Sequence, residues 1–496
     1  MYNGDRAHLV DVGIFRGVVS SLLRGVRATR DPQEELRAGA TRWPIVILRA
    51  HLSLLLAVGL SLTCGKTVTT LSGPREVSFA NTAAMRVSPA RSGDWLLLFE
   101  TLQPQMLVTT PIRSAGLLGV GSGIVRTYGA PEGWILIDAV AHPSGDVSLL
   151  SLHVDSTADY PMRAAVSRVG ANGEVADREL LRLPPPTGTE PPPAFISSLD
   201  RARIVPHGED LFVVVRWANN SVQAYRLAFE GRSLEQKWGT WVEPAAPLLF
   251  LGIIGGGFDN FHQGDSTSFV YADVDAQGNL YACVASTEDV LPNHDAFFDD
   301  HLMSQADPAN FDFGTGIVTR IGAEGVRSFA TLMGIPGRSK RLLNLRVASD
   351  SVVLVGRVKT GDQPESWDGW ILSSQAATGQ ITFERNIDVQ SGDMFWDAAA
   401  LDDGRLLAVG STNYTQNPSG LSVSDSRDSL ALVLDSLGNV EKRILLPAGP
   451  AGRGNEAMSV GAGARNQIAI SGIQNAPGTH GAVHSDAFLV VREPDL

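Results

Sequence analysis

One pattern governs most of this chain: a short apolar run, a tight Gly-containing turn, a second apolar run, and then the same again after a polar spacer. It is clearest in Asp397-Ala-Ala-Ala-Leu-Asp-Asp-Gly404-Arg-Leu-Leu-Ala-Val-Gly410, where Asp402-Asp403-Gly404 supplies the turn. Asp428-Ser-Leu-Ala-Leu-Val-Leu-Asp435-Ser-Leu-Gly438-Asn439-Val440 follows, turning at Gly438. Runs of Val, Leu, Ile and Phe punctuated by Gly, Asn and Asp are strand-and-hairpin texture, and helical periodicity nearly vanishes beyond residue 64. Two hairpins joined by a loop make four antiparallel strands.

The unit recurs in other words. Ala272-Asp-Val-Asp-Ala-Gln-Gly278-Asn-Leu-Tyr-Ala-Cys283 is answered by Ile317 to Val326, and Ile137-Asp-Ala-Val-Ala-His-Pro-Ser-Gly145-Asp-Val147 by Ala165 to Val175. Further copies start near Ile204 with Val222, Leu345 with Trp370, and Met458 with Asp486. A fainter one starts near Met85, with Trp95 to Leu98 as its second strand. Four-stranded units repeating roughly every 45–65 residues predict an all-β chain, a β-propeller of about seven four-stranded blades over residues 80–496. The alternative is two β-sandwich domains divided at the Pro-rich stretch Pro184 to Pro193, which the propeller reading makes a stiff connector between blades. The units resemble bacterial propeller repeats of the SBBP and delta-60 type, best over residues 393–442. The last unit is short, and a propeller must join its last blade to its first, since an open edge invites association. A strand within residues 68–79 is therefore expected to complete it.

Ahead of the repeats, residues 52–63 form an uncharged apolar run preceded by Arg49 and His51 and followed by Cys64-Gly65-Lys66. A run of about a dozen residues has the length of a signal h-region and is short for a membrane span. Residues 46–66 resemble a bacterial lipoprotein signal, which ends in the cysteine that is acylated after cleavage. Such signals usually place Leu three residues before the cysteine; here Ser61, Leu62 and Thr63 stand before it. The resemblance implies a signal peptide over 46–63, lipidation of Cys64, and a mature N-terminus over 64–79. An ordinary cleaved signal and an uncleaved anchor or buried helix are the alternatives. Residues 1–45 fit no signal and read as outside the mature protein, translation starting near Val46 or Leu48; a cytoplasmic amphipathic helix is the other reading.

Net charge is −13 and no Lys/Arg-rich stripe is available to neutralise phosphates, which excludes nucleic acid as a partner. With two cysteines, Cys64 and Cys283, a disulfide framework and any multi-Cys metal site are excluded as well. Cys283 lies in an apolar run and reads as a small buried hydrophobe.

In a propeller blade the two hairpin turns lie at one end, and the mid-blade loop and the link to the next blade lie at the other. The turns here are short, while the variable segments 183–196, 243–268, 286–316, 411–427 and 473–485 are of the second kind. Long loops on a rigid scaffold are where function usually sits. The richest surround the fourth unit, with Asp259, His262 and Asp265 in its incoming link and His294, Asp295, Asp299, Asp300 and His301 in its mid-blade loop. Oxygen-rich clusters suit Ca2+, and His with Asp suits Zn2+, although the spacing matches no metal-loop pattern; a solvated acidic loop is the plain reading. Asp273-Val-Asp275 hints at a calcium loop but falls where other units have a hairpin turn. No nucleophile elbow, Walker loop or zincin motif occurs. The expectation is a binding or scaffold protein of the cell envelope, exported and lipid-anchored in the outer membrane or extracellular. Its partners are the membrane, through that anchor, and a protein or glycan ligand. The alternative is a secreted propeller enzyme, a metal-assisted hydrolase or lyase working on the long-loop face.

Overall fold

Each repeat folds as the sequence spells it. The computed structural model describes residues 75–79, 82–103, 110–119, 124–154, 162–184, 202–217, 221–243, 269–285, 316–333, 340–360, 367–413, 428–444, 446, 454–463, 467–476 and 486–492. These form seven four-stranded antiparallel sheets, the blades of a β-propeller, with a single 3-10 turn at Arg91–Gly93 beside them. The inner strands, blades 1 to 7 in order, are Thr82–Pro89, Ile135–Ala141, Ala202–His207, Phe269–Val274, Lys340–Ala348, Met394–Ala400 and Gly454–Ala462. Each touches the next, and the last touches the first, so they close a ring around one axis. The Pro-rich stretch falls in sequence between the outer strand of blade 2 and the inner strand of blade 3.

Local chemistry explains the turns. Gly145, Gly173, Gly278, Gly325, Gly404 and Gly438 all have φ between 76° and 90°. That left-handed region is open to Gly at no steric cost, which is why Gly recurs at this place in unit after unit. Asp275 and Asp435 brace two of the turns in the same way. Asp435 accepts the Leu437 and Asn439 amides, and Asp275 those of Gln277 and Asn279. The Asp275 carboxylate is thus a turn brace.

Blade 7 is built from both ends of the repeat region. Its inner three strands are Gly454–Ala462, Ile468–Ala476 and Asp486–Arg492, and its outer strand is Arg75–Phe79, antiparallel to Asp486–Arg492. Arg75 is in register with Val491, and Arg492 with Ile468, the first strand residue after the blade's inner hairpin turn. The chain therefore enters the propeller at the hairpin-turn end.

The core lies between blades. Seven apolar clusters each draw side chains from two neighbouring blades, including the pair formed by blades 7 and 1. A second strand covered on both faces has no polar side, so Leu406–Thr412 is buried throughout, whereas the outer strand Val440–Arg443 is exposed throughout. Cys283 is fully buried in such a second strand. Five inner strands carry a β-bulge: those of blades 1, 2, 5, 6 and 7. Beside two of these bulges a carbonyl presses into the second strand. A Cβ on Gly410 would meet the Met394 oxygen at 1.8 Å, and one on Gly472 the Glu456 oxygen at 1.9 Å, so only Gly fits.

Candidate functional site

The inner strands bring one residue per blade to a shared position around the axis. Blades 1 to 7 place there Arg86, Asp138, Arg203, Asp273, Arg346, Asp397 and Ser459. The position is defined by backbone hydrogen bonds. The amide after each odd-blade residue donates to the ring side chain of the preceding blade: Ile204 to Asp138 at 3.1 Å, Val347 to Asp273 at 2.9 Å, Val460 to Asp397 at 3.0 Å and Val87 to Ser459 Oγ at 3.2 Å. Each aspartate also accepts the amide of its own successor, Ala139, Val274 or Ala398. In four of the bulged strands the ring residue follows the skipped position.

Charge alternates around this ring, Arg on odd blades and Asp on even ones. Seven is an odd number, so strict alternation would place two like charges side by side. Neutral Ser459 takes the seventh place, donating to Asp397 at 2.8 Å and accepting from Val87. It resolves the mismatch with one hydroxyl, a group that both donates and accepts.

Two of the three arginines are ion-paired. Arg86 donates to Asp138 at 2.5 Å. Arg346 makes a bidentate pair with Asp397 at 2.8 and 2.7 Å, and Asn344 donates to the same carboxylate at 2.8 Å. Both aspartate side chains are fully buried, where such charge-assisted bonds are strongest and their loss costs most. Burial pulls the Arg86 guanidinium below its ordinary pKa; Asp138 acts against this, while Arg346 and Arg203 reinforce it. Those two arginines stand on blades 5 and 3, so the Arg86 guanidinium feels both across the ring. Arg346 moves the other way: burial lowers it, but Asp397 foremost, with Asp273 and Asp138, together outweigh that effect. Burial raises the pKa of Asp273, against the opposing pull of Arg346.

A second polar network ties blade 2 to blade 3 at the hairpin-turn end. Arg168 bonds to Asp146 and Glu209, and His142 sits between Ser148 Oγ at 2.8 Å and the Gly208 carbonyl at 3.3 Å. Burial first, and then the charge of Arg168, keep the His142 pKa below its ordinary value. A neutral imidazole braced between two blades reads as an inter-blade strut.

The loop residues expected from sequence, Asp259, His262, Asp265, His294, Asp295, Asp299, Asp300 and His301, lie outside the described residues, as does Cys64. Among the described residues no group of three or more His, Cys, Asp or Glu side chains is arranged to hold a metal ion. The strand ends that flank the two candidate segments are described. Phe269 is in register with Ala285, and Ala285 with Gly316, so segments 244–268 and 286–315 join blade 4 in one row, opposite its hairpin turns. Sequence reasoning missed the axial ring, although a partial signal was present: Arg86, Asp138, Arg203 and Asp273 alternate in sign, each as the lone Asp, Glu, Lys or Arg of its first strand.

No family model matches the chain, and no curated protein matches it. Among solved structures it is similar to a Dyadobacter fermentans protein of unknown function, with 12% identity and a TM-score of 0.38 over 83% of this chain and 95% of that one. It is also similar to Saccharomyces cerevisiae Sqt1, with 10% identity and a TM-score of 0.37 over 82% and 86% of the two chains. The β-propeller domain of the Trilobed protease from Pyrococcus furiosus, which has an open velcro topology, gives 8% identity and a TM-score of 0.37 over 79% and 92%.

Proposed function

We propose that this chain is an exported propeller, held at the cell envelope by an acyl group on Cys64, that binds a protein or glycan partner through the long segments opposite its hairpin turns. The observation that carries this reading is the blade 4 row. Two segments containing eight of the acidic and histidine candidates, with Phe258, Phe261, Phe297 and Phe298 among them, join the same end of the same blade. Aromatic and polar side chains presented together on a rigid scaffold are what recognition of a partner uses. The described chain enters the propeller at Arg75, at the hairpin-turn end, opposite the blade 4 strand ends from which those segments start.

Anchoring is tested by labelled palmitate and detergent partitioning. The wild type takes up label and enters detergent, and Cys64→Ser does neither; equal behaviour of the two removes the anchor and leaves plain export. A Ca2+ or Zn2+ site in the blade 4 segments is tested on chelator-treated protein. Either metal should raise the melting temperature by mass action, and Asp299→Ala/Asp300→Ala should abolish the gain. Asp402→Ala/Asp403→Ala, at a hairpin turn, should leave it intact. Absence of any thermal shift with either metal makes the segments a solvated recognition surface without a cation.

A further inference from the structure

The axial ring holds three arginines and three aspartates, yet its pairings leave one cation over. Asp138 is taken by Arg86, and Asp397 by Arg346. Asp273, the third acid, directs one oxygen to the Val274 amide and the other to the Val347 amide, both at 2.9 Å. Arg203, its neighbour on the ring, makes no ion pair or hydrogen bond among the described residues. Its guanidinium carbon lies 5.8 Å from the centroid of the Tyr271 ring, a cation–π contact with the next blade.

We propose that the axial space inside this ring binds a compact oxyanion, a carboxylate or a phosphate, on Arg203, with Arg86 and Arg346 beside it. A partly buried guanidinium without a counter-charge is costly, and an exogenous anion removes that cost. Arg is suited to the role, because its planar fork of donors matches the two oxygens of a carboxylate or phosphate edge. The rest of the ring favours the same sign of ligand. Asp138, Asp273 and Asp397 have both oxygens committed to backbone or side-chain donors, so the acids have little left to offer a cation. The three arginines come from alternate blades, and Arg203 and Arg346 both act on Arg86, so an anion held at Arg203 also relieves repulsion within the ring. Burial also raises the pKa of Asp273, which weakens its claim on Arg203 as a counter-charge. The contact with the Tyr271 ring leaves the donors of the Arg203 fork uncommitted.

The site is built from inner-strand residues alone, and its test depends neither on the blade 4 segments nor on Cys64. Titration calorimetry of the full chain at constant ionic strength, with inorganic phosphate and with acetate as probes, should show saturable binding of one or both. Arg203→Gln should weaken that binding about tenfold or more, the loss expected when a charge-assisted hydrogen-bonding partner is removed. Arg203→Lys, which keeps the charge but loses the fork, should fall between the two. Arg163→Gln, which alters an outer-rim arginine paired with Glu179, should bind as the wild type does. Without probe, Arg203→Gln should melt at or above the wild-type temperature, since it removes an uncompensated charge; this separates lost binding from lost folding. The proposal is overturned if neither oxyanion gives a saturable signal with the wild type, or if folded Arg203→Gln binds phosphate with wild-type affinity.

Discussion

The same two charges are paired in two places, and the surroundings make them different objects. Arg346 and Asp397 form a two-pronged pair in the axial ring, their side chains 19% and 0% exposed. Arg163 and Glu179 form a pair of the same shape between the outer two strands of blade 2, 52% and 45% exposed. Glu179 serves only its own blade. Asp397 joins three, taking Arg346 and Asn344 from blade 5, Ser459 and the Val460 amide from blade 7, and the Ala398 amide from its own strand. A salt bridge by itself is thus weak evidence of stabilisation; what matters is how many donors would be stranded in a dry place if it were cut.

The contrast is broken most directly by Asp397→Ala. This strands the Arg346 guanidinium, an asparagine amide, a hydroxyl and two backbone amides around the axis. A loss on the order of 3–5 kcal/mol is expected, read as a large fall in melting temperature or as failure to fold. A variant that melts within a degree of the parent would mean that the ring is an ornament and the seven inter-blade cores alone hold the circle.

The closing strand sharpens the same question. Deleting residues 67–79 removes the outer strand of blade 7 and exposes the edge of Asp486–Arg492. The deletion leaves the axial contacts of Asp397 and Ser459 in place. A drop of several degrees, with aggregation from the open edge, is therefore expected, smaller than the effect of Asp397→Ala. The reverse order would place the closure of the circle at its rim rather than at its axis.

These two features differed in how far the sequence revealed them. Turn glycines are forced by backbone geometry at a single residue, so Gly404, Gly438 and their counterparts announce most hairpins, and hairpin counting gives the blades. The inner turn of blade 5 puts Ser349 at a φ of 52° instead. The need for a closing strand followed from the short last unit, because edges carry unsatisfied hydrogen-bonding groups wherever they occur. The ring was not legible in the same way. Asp138 and Asp397 stand in plain view inside apolar runs, but their partners are 52 and 51 residues away, and only closure brings Arg86 and Arg346 to them. Ser459 is still less conspicuous, since its role exists only because the blade number is odd. The loop candidates were legible as composition, an excess of Asp, His and Phe, and composition does not fix how side chains converge.

Asp273 offers a subtler handle, because burial raises its pKa. An acid whose pKa is higher folded than unfolded holds its proton more tightly in the native state. Between the ordinary aspartate value and the raised one, stability therefore rises as pH falls. Asp273→Asn removes that proton uptake and leaves an isosteric neutral group. Denaturant unfolding of wild type and variant from pH 7 down to pH 4 should show the stability difference moving in favour of the wild type as pH falls. A difference that is flat with pH would mean that Asp273 ionises normally. The shift should be smaller than the loss caused by Asp397→Ala, since the fold tolerates either form of the side chain.

The smallest effect is expected at the outer pair, and that is where the comparison closes. Bidentate bonds to Arg163, with its charge, hold the Glu179 carboxyl below its usual range, against a weaker effect of desolvation. The sign is opposite to that of Asp273: stability present above the ordinary glutamate value is lost as pH falls through the depressed one. Its size is discounted by exposure, because nearly half of each side chain faces solvent and salt screens what remains. Glu179→Gln should cost less than about 1 kcal/mol, and adding salt should erase most of that. Arg163 also lies over the Trp134 ring, 5.4 Å from its centroid, so Arg163→Ala should cost slightly more than Glu179→Gln and keep its effect in high salt. A loss at Glu179 as large as that at Asp397 would show that the shape of the pair matters and its burial does not. A salt-insensitive loss at Arg163 alone would assign that residue's contribution to the tryptophan rather than to the glutamate.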